Sequence, residues 1–448
     1  MVNGNLPDGW TWATVEEVGL VASGQTPKGL ENLSREGEIP FYKVSDMNRA
    51  GNETQMHDSA IYLNEKEIKQ LKIRTFDAGT VIFPKRGGAI ATNKKRILSK
   101  PSAVDLNIMG VTPQKVSSKY FYYWLSSIDL ATLSDGSNVP QINHKDISPL
   151  SIPLAPLPEQ ERIVAKIEEL FTQLEAGTSA LERVQVGLRR YKASVLKNAF
   201  EGKLVPQQES GESVAELLER VIGEDYEKKI EPSALSKVPY VPSGWVYGKL
   251  ENLIYIAGRI GWRGLKADEY TDDGPMFLSV YNLNMGDHVD FTDTYHISPE
   301  RYDESPEIML RENDILLAKD GAGIGKIGIV KGLPGLATVN SSLLVIRVSE
   351  IFIPEFLFYF LKGPQMQDVV RARITGSATP HLFQRDIKQF TLLIPPLEEQ
   401  RRIVAEVERR LSVAREVESV VEKALARSAR LRQAVLKRAF EGRLVGNE

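Results

Sequence analysis

PLPEQERIVAKIEELFTQLEAGTSALERVQVGLRRYKASVLKNAFEGKLV, residues 156–205, decides how the rest of the chain is read. Pro156 and Pro158 end the strand-like run before them, and Glu159 and Glu161 put acid where a helix N-terminus favours it. Arg189, Arg190, Lys192 and Lys197 load the last turns, and AFEG supplies a glycine stop. Positions 163, 167, 170, 174, 177, 181, 184, 188, 191 and 195 alternate steps of four and three and are apolar except Gly177, which predicts a heptad seam along one long helix. The text returns at 396–445 as PLEEQRRIVAEVERRLSVAREVESVVEKALARSARLRQAVLKRAFEGRLV, with Pro395, Pro396, Glu398 and Glu399 at its start and Arg430, Arg432, Lys437 and Arg438 near its end. Aligned at a constant offset of 240, Gly136–Val205 and Gly376–Val445 are identical at 26 of 70 positions. Eight of the ten seam positions stay apolar in the second copy, so the two helices are expected to pair with each other, packing of each helix onto the globular bodies being the alternative.

Outward from these tails the chain reads as two halves. LPDGWTWATVEEV from Leu6 is echoed by VPSGWVYGKLENL from Val241, and Val44–Asn48 by Val280–Asn284. Otherwise the bodies between tag and tail diverge. GTVIFP (79–84), NDILLAKD (313–320) and SLLVIRV (342–348) predict strands, while SKYFYYWLSSI (118–128) and PEFLFYFLKG (354–363) predict matched helices. The expected organisation is a first body at 1–155, a spacer helix at 156–205, a polar linker around one short helix at 206–240, a second body at 241–395 and a second spacer helix at 396–445.

Composition bounds what such a chain can do. At 448 residues it holds several units of the usual size of about 150 residues. The formal charge of -3 excludes a uniformly basic nucleic-acid binder, so any such role must rest on local patches. Zero cysteines exclude disulfides, Cys-ligated zinc, iron–sulfur clusters and thiol nucleophiles. MVNGNLPDGW carries no signal-peptide pattern, and no run of about 18 apolar residues occurs; the expectation is a cytoplasmic protein with no membrane role.

Catalytic signatures fail one by one. Ile394-Pro395-Pro396-Leu397 lacks the polar and aromatic members of an adenine-methyltransferase loop. Gly325-Lys326 is followed by Ile327, which excludes a P-loop, and GIGKIG (323–328) runs on as strand where a dinucleotide site needs a helix. The five histidines have no metal-ligand spacing.

What remains could touch DNA. KRGGAIATNKKRILSK (85–100) carries six cations and no acid; Lys85, Arg86, Asn93, Lys94, Lys95 and Arg96 are candidates for phosphate contact, a solvated loop being the alternative. The corresponding KDGAGIGKIGIVK (319–331) keeps Lys319 and Lys326 but sets Asp320 against them. The second half has further cations in Arg259, Arg263, Lys266, Arg371, Arg373 and Arg385. GSNVPQINHKDI (136–147) and GSATPHLFQRDI (376–387) share a Gly-Ser-x-x-Pro and Lys/Arg-Asp-Ile frame, while Asn138, Gln141 and Asn143 give way to Ala378, His381 and Phe383. With Lys145, these polar residues are of the types that pair with base edges; a strand-capping loop would explain the shared frame but not the exchange.

PLPEQERIV and PLEEQRRIV opening heptad helices, AFEGKL and AFEGRL closing them, and the GSxxP loops ahead of them resemble the DNA-specificity subunits of type I restriction-modification systems, over essentially the whole chain. The resemblance implies an α+β protein in which two mixed α/β target-recognition domains are joined by two long helices forming an antiparallel coiled coil, with an internal pseudo-twofold repeat. It implies that the chain is non-catalytic and reads a bipartite, asymmetric site in double-stranded DNA. Two modification subunits would methylate adenine, and two restriction subunits would translocate and cleave. No cofactor is then expected in this chain; S-adenosylmethionine, ATP and Mg²⁺ belong to the partners. A 42-residue helix from Glu159 to Phe200 spans about 60 Å, enough to set two DNA readers one duplex turn apart.

Overall fold

The structure, a computed structural model, describes residues 6–30, 37–207, 213–223, 241–259, 265–375 and 380–446. The chain divides into two compact units, Met1–Glu182 with Glu422–Glu448, and Arg183–Val421. Each unit therefore holds one body, the first part of that body's own tail helix, and the last part of the other tail helix.

The first body is built on a sheet with strand order Gly19–Ser23, Ile108–Pro113, Val81–Pro84, Arg96–Leu98, Gln55–Met56. The second repeats four of these places with Ile254–Gly258, Leu343–Val348, Ile315–Ala318 and Ile327–Ile329. The predicted strands are present, and all four residues of Val81–Pro84 and of Ile315–Ala318 are buried, as central strands covered on both faces must be. GIGKIG leads into the strand Ile327–Ile329, which pairs antiparallel with Ile315–Ala318. The helices Ser118–Ser126 and Pro354–Lys362 supply aromatic cores, Tyr120, Phe121 and Trp124 in one unit and Phe356, Phe358 and Phe360 in the other.

The repeated motifs turn out to be fastenings. Trp10 Nε1 donates to Glu159 Oε2 at 3.0 Å in the first unit, and Trp245 Nε1 to Glu399 Oε2 at 3.1 Å in the second. The next residue, Gln160 or Gln400, accepts from the backbone N–H of Ser117 (3.0 Å) or Ile353 (2.8 Å) just ahead of the aromatic helix. Glu159 and Glu399 thus keep their places in the first helical turns and also hold the tag tryptophans. Arg162 donates to the carbonyl of Gly446 and Arg402 to that of Pro206, tying each helix start to the far end of the other tail. AFEG docks in the same crossed sense, with Phe440 edge-on to Tyr120 at 5.1 Å and Phe200 edge-on to Phe356 and Phe360 at 5.2 and 5.3 Å. Gly442 and Gly202 both sit at φ +68°, and a Cβ there would stand 2.1 Å from Pro7 or 2.3 Å from Pro242. Each glycine is fixed by two constraints, a left-handed backbone and a proline of the tag.

The tails are single helices, Leu157–Phe200 and Leu397–Phe440. In the first unit they run antiparallel, since Glu175 pairs with Arg432 (2.7 Å) and Thr178 with Ser428 (2.9 Å); in the second, Lys192 pairs with Glu418. In the first helix the seam keeps seven of the ten expected positions and departs at three. Leu174, Leu181, Leu188 and Val195 face inward, but Thr178, Gln185 and Lys192 replace Gly177, Val184 and Tyr191, and Leu411 and Glu418 replace Arg410 and Val417. Val184, Tyr191, Val417 and Leu431 are exposed. Thr178 and Lys192 can take inward places because each meets a polar partner across the seam, Ser428 and Glu418, and a satisfied hydrogen bond or ion pair offsets their burial cost. Leu188→Ala should accordingly lower stability by about 2 kcal/mol and Val184→Ala by less than about 0.5 kcal/mol in urea unfolding. Equal losses would restore the original seam.

The linker holds a second departure. Val214–Ile222 is the expected short helix, capped by Ser213, but it buries Val214, Leu217 and Leu218 in the core that contains Trp245. It is structural, and only its outer face is linker-like.

Candidate nucleic-acid interface

The two loop types singled out by sequence lie side by side in each unit. In the first, Arg86 and Gln141 form an isolated antiparallel bridge, closed by Gly87 N–H to Pro140 O (2.7 Å) and Ile142 N–H to Lys85 O (2.9 Å). In the second, Asp320 and His381 form the equivalent bridge, with Leu382 N–H to Lys319 O at 2.9 Å. The Asp shared by the two loops is explained by Asp146 and Asp386, which accept from the N–H of Asn143 and Phe383 to start short helices; Gly376 and Ser377 of the shared frame lie outside the described residues.

Sequence cannot say which lysines of a basic run face water, and here they divide. Lys95 is 3% exposed, with Nζ donating to Asn93 Oδ1 and to the carbonyl of Ile128. Asn93 adopts a left-handed φ of 53° and also accepts from the N–H of Leu130, so it is a clip between loops. Arg96 gives its guanidinium to the carbonyls of Lys95 and Met47. Arg259 is 2% exposed, with Nε donating to Val339 O at 3.1 Å and the guanidinium over the Phe277 ring. Lys95 and Arg259 thus lie inside the protein, while Asn93 and Arg96 are half-buried with polar atoms bonded to neighbouring loops, a placement that suits struts better than DNA contacts. Burial holds the Lys95 amine down to about 8 against the opposing pull of Asp129. The folded chain sheds this proton near pH 8 while the unfolded chain keeps it to about 10.5, so stability rises with pH across that window. Lys95→Met should abolish the rise, read as the difference in urea midpoint between pH 7.5 and 10; a wild-type trend matching the variant's would refute it.

The remaining candidates stay at the surface. Arg86, Asn138 and Lys145 are exposed; Lys85 is half-buried, donates to Ser23 Oγ, and is pushed down by burial and by Arg86. Gln141 Nε2 donates to Asn143 Oδ1 at 2.8 Å. In the second unit, Lys266 is exposed and Lys319 half-buried, while Arg371 pairs with Asp368 on the helix Pro364–Thr375. Arg263 lies outside the described residues. Arg373, Arg385 and His381 converge on Phe383: Arg385 is 4.5 Å and Arg373 5.7 Å from the ring centre, and His381 meets it edge-on while holding Asp320 through Nδ1. Arg373 also pairs with Asp386.

Two features escaped the basic-residue reading. Lys94 Nζ donates to Asn48 Oδ1, and Lys326 Nζ to Asn284 Oδ1 at 2.6 Å. The short Val44–Asn48 and Val280–Asn284 echo was the only sequence signal for these clamps. Beside the second clamp Tyr281 and Met285 are 60% and 76% exposed, an apolar display of the kind that stacks on bases or meets a thymine methyl. Among the described residues no three His, Asp or Glu side chains gather into a group that could hold a metal.

Comparison with known proteins gives this geometry a family. A family model described as the type I restriction modification DNA specificity domain matches twice, at residues 7–183 and 242–411. The specificity subunit of the type I restriction enzyme EcoBI of Escherichia coli is 26% identical, over 99% of this chain and 88% of that one. That of EcoKI from strain K12 is 24% identical over 99% and 91%, and that of MjaVIII from Methanocaldococcus jannaschii 21% over 94% and 91%. Among solved structures, a chain from work on complex assembly in the type I R-M system superposes with a TM-score of 0.67 at 20% identity, covering 98% of this chain and all of that one. The HsdS subunit of Thermoanaerobacter tengcongensis gives 0.50 at 20% identity, covering 99% of each. With two matches that together span most of its length, the chain belongs to the family of type I restriction modification DNA specificity domains and carries that domain twice.

Proposed function

We propose that this chain is the DNA-specificity subunit of a type I restriction-modification system, each of its two bodies reading one half of an asymmetric, bipartite duplex site. The observation that carries this is the paired loop frame: the backbone bridge recurs in both bodies, while its side chains change from Arg86 and Gln141 to Asp320 and His381. A frame kept and side chains exchanged is what two readers of different sequences require. The chain makes and breaks no bonds itself. Two modification subunits, carrying S-adenosylmethionine, and two restriction subunits, using ATP and Mg²⁺, act where it places them, in the cytoplasm. Contact to phosphates falls to Lys94 and Lys326, with Lys85, Lys145, Lys266, Lys319, Arg371 and Arg385 on the same loops and neighbouring turns. The near-neutral total charge implies weak affinity alone and a clamp completed by partners. Coexpression with the modification subunits and mapping of N6-methyladenine in host DNA tests the proposal. A two-part motif that disappears when this chain is deleted is expected; methylation indifferent to the deletion would sink it.

A further inference from the structure

We infer that the bridge pair is the specificity-determining contact of each body: Arg86 with Gln141 reads an acceptor-rich base edge, guanine, and Asp320 with His381 reads an exocyclic amino group. The inference rests on the reading of the chain as a DNA-specificity subunit and names the residues that set the sequence.

The geometry sets these four side chains at equivalent places in the two bodies. Backbone hydrogen bonds from Gly87 and Ile142 flank the Arg86–Gln141 pair without joining it, the arrangement in which opposed Cα atoms stand about 4.5 Å apart and both side chains leave on one face. The Asp320–His381 pair occupies the same place in the second body. None of the four is buried, in contrast to Lys95 or Arg259. Each loop also ends in a feature that does not change: eight residues after Arg86 comes Lys94 held by Asn48, and six after Asp320 comes Lys326 held by Asn284. A cation kept in both bodies suits phosphate, which is the same at every base pair. A charge that reverses sign between bodies cannot serve phosphate in both, and suits base edges.

The chemistry of the pairs then selects the edge. Arg86 presents a planar fork that matches the O6 and N7 acceptors of guanine, and Gln141 is steadied beside it by Asn143. A carboxylate such as Asp320 repels phosphate and the guanine acceptors but accepts from an amino group. His381 Nδ1 engages Asp320, which fixes the ring and leaves Nε2 as the nitrogen available for a second contact. The Phe383 ring, with Arg385 and Arg373 near it, backs the histidine on its other side.

The test is methylome mapping in cells that express the modification subunits with wild-type or variant chain. Arg86→Ala should relax one guanine position in one half of the motif, cutting discrimination there by about 5- to 150-fold and leaving the other half intact. Asp320→Ala should relax one amino-bearing position in the other half, and Asp320→Arg with His381→Gln should convert that position to guanine. Arg86→Met and Asp320→Leu, which keep side-chain bulk and remove the polar group, give the same direction if an alanine variant fails to accumulate. A motif unchanged at every position overturns the inference, as does a uniform loss of methylation at an unaltered consensus, which would make the pair part of the frame. Both leave the specificity-subunit reading standing, whereas a wild-type chain that directs no two-part motif overturns both.

Discussion

Phe200→Ala is expected to destabilise the unit formed by residues 183–421 by about 3–5 kcal/mol, the range for deleting a buried aromatic ring. Phe200 is buried and meets two rings, Phe356 and Phe360, while the equivalent Phe440 meets one, Tyr120. Phe440→Ala should therefore cost less, at the lower end of the same range. Hydrogen exchange distinguishes the two: Phe200→Ala should loosen the amides of Pro354–Lys362 and leave those of Ser118–Ser126 protected, and Phe440→Ala the reverse. A loss below about 1 kcal/mol in either variant would mean that the AFEG ends do not anchor on the bodies and that the motif recurs for another reason.

The second large effect concerns DNA. Lys94→Ala combined with Lys326→Ala should weaken binding of the assembled complex about 30-fold near 0.15 M salt, on both the target duplex and a scrambled one. Each phosphate contact contributes about 0.9 to the slope of log affinity against log salt, roughly a fivefold effect at that concentration. The double variant's slope should be shallower by about 1.8 units, read from anisotropy titrations over a range of salt. Lys94 and Lys326 carry this prediction because Asn48 and Asn284 hold their amines at the loop ends without neutralising them. An unchanged slope would remove both lysines from the phosphate contact.

Much of this architecture is legible from residues alone, for physical reasons. Proline, first-turn acid, last-turn base and a glycine stop mark helix ends wherever they occur, so both 44-residue helices are readable. Val81–Pro84 and Leu343–Val348 are readable because buried strands are continuous apolar runs. The seam was misplaced at Val184 and Tyr191 because periodicity counts hydrophobicity and cannot count a bond such as Lys192 to Glu418, made with a residue 226 positions away. The interface divides in the same manner. The basic run 85–100 and the loop 136–147 are each visible in the sequence as separate candidates, and only the bridge of Arg86 with Gln141 brings them together; within the run, Lys94 and Lys95 are adjacent and chemically identical. Only the left-handed turn at Asn93 and the carbonyl of Ile128 decide that one faces outward and the other in. Glu159 and Glu399 stand in the first helical turns as expected, but their second role, holding the tag tryptophans, is not legible because that pairing spans about 150 residues.

The central claim is that the two bodies read two different half-sites independently. It is tested most directly by replacing residues 241–395 with the corresponding body of another member of the family, keeping both tails, and mapping N6-methyladenine in cells that carry the modification subunits. The account predicts that one half of the motif changes to that of the donor while the other half stays as in the wild type. A motif altered in both halves, or in neither, would contradict it.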